Sequence, residues 1–116
     1  MDGVYYDAVG NLIGIEKKSV SVDGDKVLQI VKHYGFPAQK SKAVEELLEL
    51  SEVLIKDINK DELSKDALYE ELADVVIMMA QLMVIYHIDQ EGLQQEIVRK
   101  IERTLERMEN GYDQAM

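Results

Sequence analysis

The stretch Glu70 to Ile88, "EELADVVIMMAQLMVIYHI", limits most severely what this chain can fold into. From Leu72 onward nearly every residue is apolar, and at helical spacing those residues point in all directions. A helix apolar on every side has to be covered on every side. At about 17 residues the run is near the minimum for a membrane span. It holds Asp74, Gln81 and His87 and is flanked by acids, so it reads as a buried helix and not as a membrane segment. Asp74 is the anomaly, since no Lys or Arg stands within a helical turn of it.

The surrounding sequence is also helical in period. Asp23 suits the N-cap of a short first helix with Val27, Ile30, Val31 and Tyr34 inward, closed by Gly35 and Pro37. A second helix is expected from Gln39 to Ile58, with Ala43, Val44, Leu47, Leu48, Leu54, Ile55 and Ile58 on one apolar arc. "NKDELS" is its closing turn, and the greasy helix runs from Lys65 to His87. Asp89 caps a fourth helix carrying a stripe of Leu93, Ile97, Ile101, Leu105 and Met108, with Gly111 after it. The first residues differ: in "VYYDAVGNLIGIE", Gly10-Asn11 predicts a two-residue hairpin pairing Val9 with Leu12. The expectation is a single all-α domain over residues 1–116, forming a four-helix bundle, with a hairpin arm (1–22) ahead of a helical body (23–111). Three amphipathic neighbours cannot cover a helix that is apolar all round. A second copy is the simplest extra cover, so a homo-oligomer is expected, dimer and tetramer both remaining open.

Charge narrows the partners. With 23 acidic against 13 basic residues the net charge is −10, a poor match to nucleic acid, whose phosphates call for Lys and Arg. The absence of cysteine excludes disulfides, thiolate metal sites and cysteine nucleophiles. The N-terminus lacks the basic start and apolar stretch of a signal peptide, so the cytoplasm is the expected location.

The acids themselves are patterned. Glu46 and Glu49 stand three apart on the second helix, about 4.5 Å along its axis and on one face. Glu71 and Asp74 repeat that spacing on the third. Reflection about Lys60, inside the expected turn, sets the two pairs at one level of an antiparallel hairpin. Carboxylates brought together in a poorly hydrated place repel one another and either take up protons or gather a cation. An all-oxygen donor set without His or Cys selects Mg2+, Mn2+ or Ca2+. Asp74 is therefore best explained as a metal ligand. A solvated acidic face is the bland alternative and suits Glu45 and Glu52 well, but Asp74 sits on a helix with no wet side to serve.

On the fourth helix Lys100 and Arg103 share a face, with Arg99 and Arg107 adjacent. Beside a cation they would hold a polyphosphate. On a wet surface they would instead pair with Glu96 and Glu106. His33 and His87 stand alone, Met78, Met79 and Met83 read as core filler, and no phosphate-binding loop or hydrolase motif occurs.

"EELLE" (Glu45 to Glu49), a spacer of 21 residues and "ELAD" (Glu71 to Asp74) together resemble the E-E-x-x-E … E-x-x-D signature of MazG-like all-α nucleoside triphosphate pyrophosphohydrolases. "HYGFPAQKSKAVEELLEL" is similar to the lead-in of short, phage-type members, and "KIER" (Lys100 to Arg103) to their K-x-x-R. The resemblance implies a dimer or tetramer that uses Mg2+, or Mn2+ in its place, to hydrolyse nucleoside triphosphates to monophosphate and pyrophosphate. By position, Glu46, Glu49, Glu71 and Asp74 would bind the metal, and Lys100 and Arg103 the phosphates. Glu45, the extra acid of the signature, and Glu49 would serve the attacking water. Rival expectations are a relative acting on phosphoribosyl-ATP, a non-catalytic helical oligomerisation module, and a plain divalent-cation binder.

Overall fold

A computed structural model describes the backbone of residues 4–6 and 12–15 and the full residues 20–111. The body is all-helical: α1 (Gly24–Tyr34), α2 (Phe36–Lys60), α3 (Lys65–Ile85) and α4 (Gln90–Glu109). Three of the helices begin on a side-chain cap. Asp23 accepts the Asp25 and Lys26 N–H groups at 3.1 and 3.2 Å, Ser64 that of Ala67 at 3.3 Å, and Asp89 that of Gly92 at 3.1 Å. Each satisfies donors that a helix start leaves without partners.

Between α1 and α2 lies a single residue, Gly35, at φ 88 and ψ 160. That backbone region is open essentially to glycine alone. α2 starts at Phe36, not at Gln39, because Pro37 occupies its first turn, where a missing N–H costs nothing and a fixed φ already suits a helix. The same proline that closes α1 therefore opens α2. Asp61, left-handed at φ 53, ends α2 two residues later than Ile58. α3 stops at Ile85, short of His87, which takes φ 51.

In the N-terminal arm, β1 (Val4–Tyr6) and β2 (Leu12–Ile15) run antiparallel, with Val4 opposite Ile15 and Leu12 opposite Tyr6. The sequence pairs Leu12 with Val9 instead. Pairing Leu12 with Tyr6 leaves residues 7–11 between the strands, which is not the register of a two-residue hairpin; the Gly10-Asn11 turn itself lies outside the described residues.

α2 and α3 form an antiparallel hairpin, and α1 packs against both. The buried cluster is small: Val27 and Val31 of α1 with Ile85 of α3, bordered by Val22, Ala80 and Val84. Further along, α2 presents Gln39, Ala43 and Glu46 to the seam, and α3 presents Val75, Met78 and Gln81. Gln39 Nε2 donates to Gln81 Oε1 at 2.7 Å in a buried contact, and Gln81 Nε2 donates to Met78 Sδ at 3.6 Å. This inward face of α2 is not the apolar arc. Of the arc residues only Ala43 is buried, while Ile58 is 78% exposed and Leu48 61%. α3 is likewise left uncovered at Tyr69 (71% exposed) and Met79 (54%). In α1, Val27 and Val31 point inward as expected, but Ile30 and Tyr34 are exposed. α4 packs against none of the other helices, and its whole apolar stripe is exposed. Among the described residues no helix is long and apolar enough to cross a membrane.

Candidate metal centre

The turn at Asp61–Ser64 sets the level at which α2 and α3 pass. Glu46 and Asp74 are equidistant in sequence from Lys60, as are Glu49 and Glu71, and antiparallel packing brings each pair together. One carboxylate oxygen from each of the four lies within 4.8 Å of the other three. Glu46 is buried, at 5% exposure, and the other three are partly covered. The four expected metal ligands are thus gathered by two helices at one place.

Their electrostatics are lopsided. Lys42 Nζ, one turn before Glu46 on α2, lies 3.1 Å from Glu46 Oε1 and 3.7 Å from Glu45 Oε2. The hydrogen bond from Lys42 pulls the Glu46 carboxyl below its ordinary range, against the opposing effect of burial. No such partner serves Asp74. Burial pushes its carboxyl up, and a hydrogen bond to Glu46 and the charges of Glu46, Glu71 and Glu70 push the same way. Glu49 is raised mainly by the charge of Glu46, then by desolvation and by Glu71. The cluster therefore resists full ionisation unless a cation enters.

Two further atoms bear on whether an ion fits. Glu46 Oε2 and Glu71 Oε2 are buried without a hydrogen-bond partner. A buried carboxylate oxygen without a donor costs kilocalories per mole, and native structures rarely leave one so. An orphaned oxygen from each helix, within an all-carboxylate set, fits a hard divalent ion such as Mg2+ or Mn2+. The residues present fit the group.

The remaining site residues are placed differently. Glu45 is at the rim, paired loosely with Lys42. Lys100 and Arg103 sit on α4, which touches neither α2 nor α3, so one chain does not bring them to the acids by helix packing. Their neighbour Arg99 is engaged with Glu96, donating from Nε at 3.0 Å, as expected for a wet surface. Sequence reasoning missed Lys42, whose signal was its place four residues before Glu46, and the buried Gln39–Gln81 pair. Gln81 had counted only as an argument against a membrane span; reflecting it about Lys60 lands on Gln39.

Compared with known proteins, the chain matches no family model, no curated protein and no solved structure.

Proposed function

We propose that this chain is a Mg2+-dependent nucleoside triphosphate pyrophosphohydrolase of the MazG-like kind, converting (d)NTP and water to (d)NMP and pyrophosphate in control of nucleotide pools. The observation that carries the reading is the meeting of Glu46, Glu49, Glu71 and Asp74 within 4.8 Å, two of them with orphaned buried oxygens. Triphosphate hydrolysis asks mainly for positioning and charge neutralisation, which an acidic helical site can organise without a covalent nucleophile. A divalent ion held there would screen phosphate charge and acidify water. The chain's own acids do the rest. Glu46, Glu49, Glu71 and Asp74 hold and orient, and Glu49, whose carboxyl is raised by the charge of Glu46 and so is made more basic, is suited to take a proton from water. Glu45, at the rim, orients that water. The water oxygen bonds to a phosphorus of the α–β anhydride, the bridging P–O bond breaks, and the water's proton passes to a carboxylate.

The working form in this reading is a homo-oligomer that completes a helical bundle. α4 supports that part: Leu93, Ile97, Val98, Ile101, Leu105 and Met108 are between 37% and 61% exposed, with no helix of their own chain against them. A second copy would cover this stripe and carry Lys100 and Arg103 toward an acidic cluster. The same stripe favours the second reading, a non-catalytic oligomerisation module. One assay separates the two: pyrophosphate release from a panel of canonical and modified triphosphates, and from phosphoribosyl-ATP, with Mg2+ and with EDTA. Monophosphate and pyrophosphate appearing only with metal support the enzyme. No turnover from a folded, oligomeric protein refutes it.

A further inference from the structure

We propose that the buried Gln39–Gln81 amide pair is a register lock for the metal centre, holding α2 against α3 so that the four carboxylates meet at the spacing a small divalent ion demands and Mg2+ is favoured over Ca2+. The two glutamines are positioning residues and touch neither the acids nor the ion. The proposal rests on the metal-dependent reading above and concerns which ion that site takes.

The acids lie between two restraints. On one side is the turn at Asp61–Ser64 that joins α2 to α3. On the other, toward the open end of the hairpin, Gln39 stands seven residues before Glu46 and Gln81 seven residues after Asp74, about 10.5 Å along each helix axis. Gln39 Nε2 donates to Gln81 Oε1 at 2.7 Å, and both residues are buried. Among the described residues no other hydrogen bond or ion pair outside the acidic cluster joins α2 to α3. An α-helix scarcely stretches along its axis, so a bond that stops α2 sliding on α3 at one level stops it two turns away.

Apolar packing does not supply this restraint. The buried cluster is Val27 and Val31 of α1 with Ile85 of α3, bordered by Val22, Ala80 and Val84, and none of these comes from α2. The one buried apolar side chain that α2 offers is Ala43, while Met78 faces the seam from α3 between Asp74 and Gln81. Alanine presents no knob, methionine rearranges readily, and apolar contact has no direction. A buried amide pair does have direction. It contributes no more stability than apolar residues of its size would, and what it adds is register, as a single buried asparagine does in a coiled coil. Register matters to the ion. Mg2+ asks for oxygens at about 2.0–2.1 Å in near-octahedral order, whereas Ca2+ accepts about 2.3–2.6 Å and irregular geometry. The four acid oxygens already lie within 4.8 Å of one another, and a slide of about an ångström along the seam costs the smaller, stricter ion more.

The test is calorimetry on the full chain with Mg2+ and Ca2+ as separate probes. Wild type, the double variant Gln39→Met/Gln81→Met and the single variant Gln81→Glu are compared, with helicity checked by circular dichroism. Methionine keeps the length and unbranched shape of glutamine and removes the hydrogen bond. Gln81→Glu keeps an oxygen that accepts the Gln39 N–H, and its added charge acts on both ions alike. Expected is a preference for Mg2+ over Ca2+ that falls about tenfold or more in the double variant and stays within about threefold of wild type in Gln81→Glu. An unchanged preference in the double variant overturns the proposal. So does an equal weakening of both ions, or a double variant that no longer folds, because the amides then support the fold and not the site. A fall in Gln81→Glu as large as in the double variant overturns it as well, since the hydrogen bond is then not what sets the preference. A wild type whose ion preference depends on the pair but which cleaves no triphosphate refutes the hydrolase and leaves the lock standing. One that binds neither ion sinks both.

Discussion

Removing one member of the buried Gln39–Gln81 pair should cost more than removing both. The amides meet at 2.7 Å between α2 and α3, with Gln81 2% exposed and Gln39 7%. In Gln39→Leu, Gln81 Oε1 loses its donor in a place water does not reach, a penalty of about 1–3 kcal/mol. Burial of the leucine returns part of that, for a net loss of roughly 1–2 kcal/mol. Gln81→Leu should behave alike, since it strands the Gln39 amide. In the double variant neither amide remains to be satisfied, and stability should return to within about 1 kcal/mol of wild type. The coupling between the two positions is then about 1–3 kcal/mol, well above the roughly 0.5 kcal/mol within which unrelated sites add. A domain of this size shifts its melting temperature by about 4–8 °C per kcal/mol, so each single variant should melt roughly 5–15 °C lower. Thermal and urea unfolding followed by circular dichroism, at one fixed protein concentration, measures all four proteins. Additive losses would refute the reasoning, because they would mean the two amides do not depend on each other.

Other outcomes follow from the acids and the exposed stripe. Asp74→Asn and Glu46→Gln should each lower Mg2+-dependent turnover roughly 100-fold or more while helicity is kept; full activity in both would show that the site is misassigned. Asp74→Asn in metal-free protein should melt no lower than wild type, since it removes a charge that burial and Glu46 already disfavour. Glu49 and Asp74 have folded-state carboxyls raised above their ordinary values, so the native state holds extra protons and metal-free stability falls as pH rises through that window. Glu46 is lowered, and its contribution is lost only as pH falls below its ordinary 4.5. Melting temperatures of the metal-free protein should therefore rise as pH is lowered toward the ordinary carboxylate range, and saturating Mg2+ should flatten that trend. Ile101→Glu, placing a charge in the α4 stripe, should dissociate the oligomer in sedimentation at micromolar concentration; an unchanged mass would show that α4 is not the contact.

How much of this was legible in the sequence depended on which physical signal carried it. Two of the caps were: Asp23 and Asp89 act locally, and their chemistry reads directly from neighbouring residues, whereas Ser64 read only as the end of a turn. The level of the acids was too, because an antiparallel hairpin with a short turn leaves little freedom in register, and reflection about Lys60 pairs Glu46 with Asp74. Pro37 was ambiguous because one residue can both stop a helix and start the next, and only Gly35, at a positive φ, lets α1 and α2 follow each other with a single residue between them.

The face of α2 was not legible, and the reason bears on the function. Hydrophobic period says which side of a helix must be covered, never by whom. Val44, Leu47, Leu48, Leu54, Ile55 and Ile58 form the strongest apolar arc on α2, yet all are exposed, while Gln39, Ala43 and Glu46 face α3. The seam within one chain is thus lined by the residues that can hold an ion and by a buried amide pair, and the greasy surface is turned outward. A chain needing only its own stability would do the reverse, since apolar burial contributes more than desolvated carboxylates do. Keeping Glu46 inside with one oxygen unpartnered is stable only if a cation or a proton on a neighbouring acid completes it, and leaving the arcs of α2 and α4 outside is stable only if another surface covers them. Both debts fall due at once, which is why metal affinity and self-association should be measured on the same preparation: a chain of this sequence that is stable, monomeric and indifferent to Mg2+ would contradict each inference drawn from its two faces.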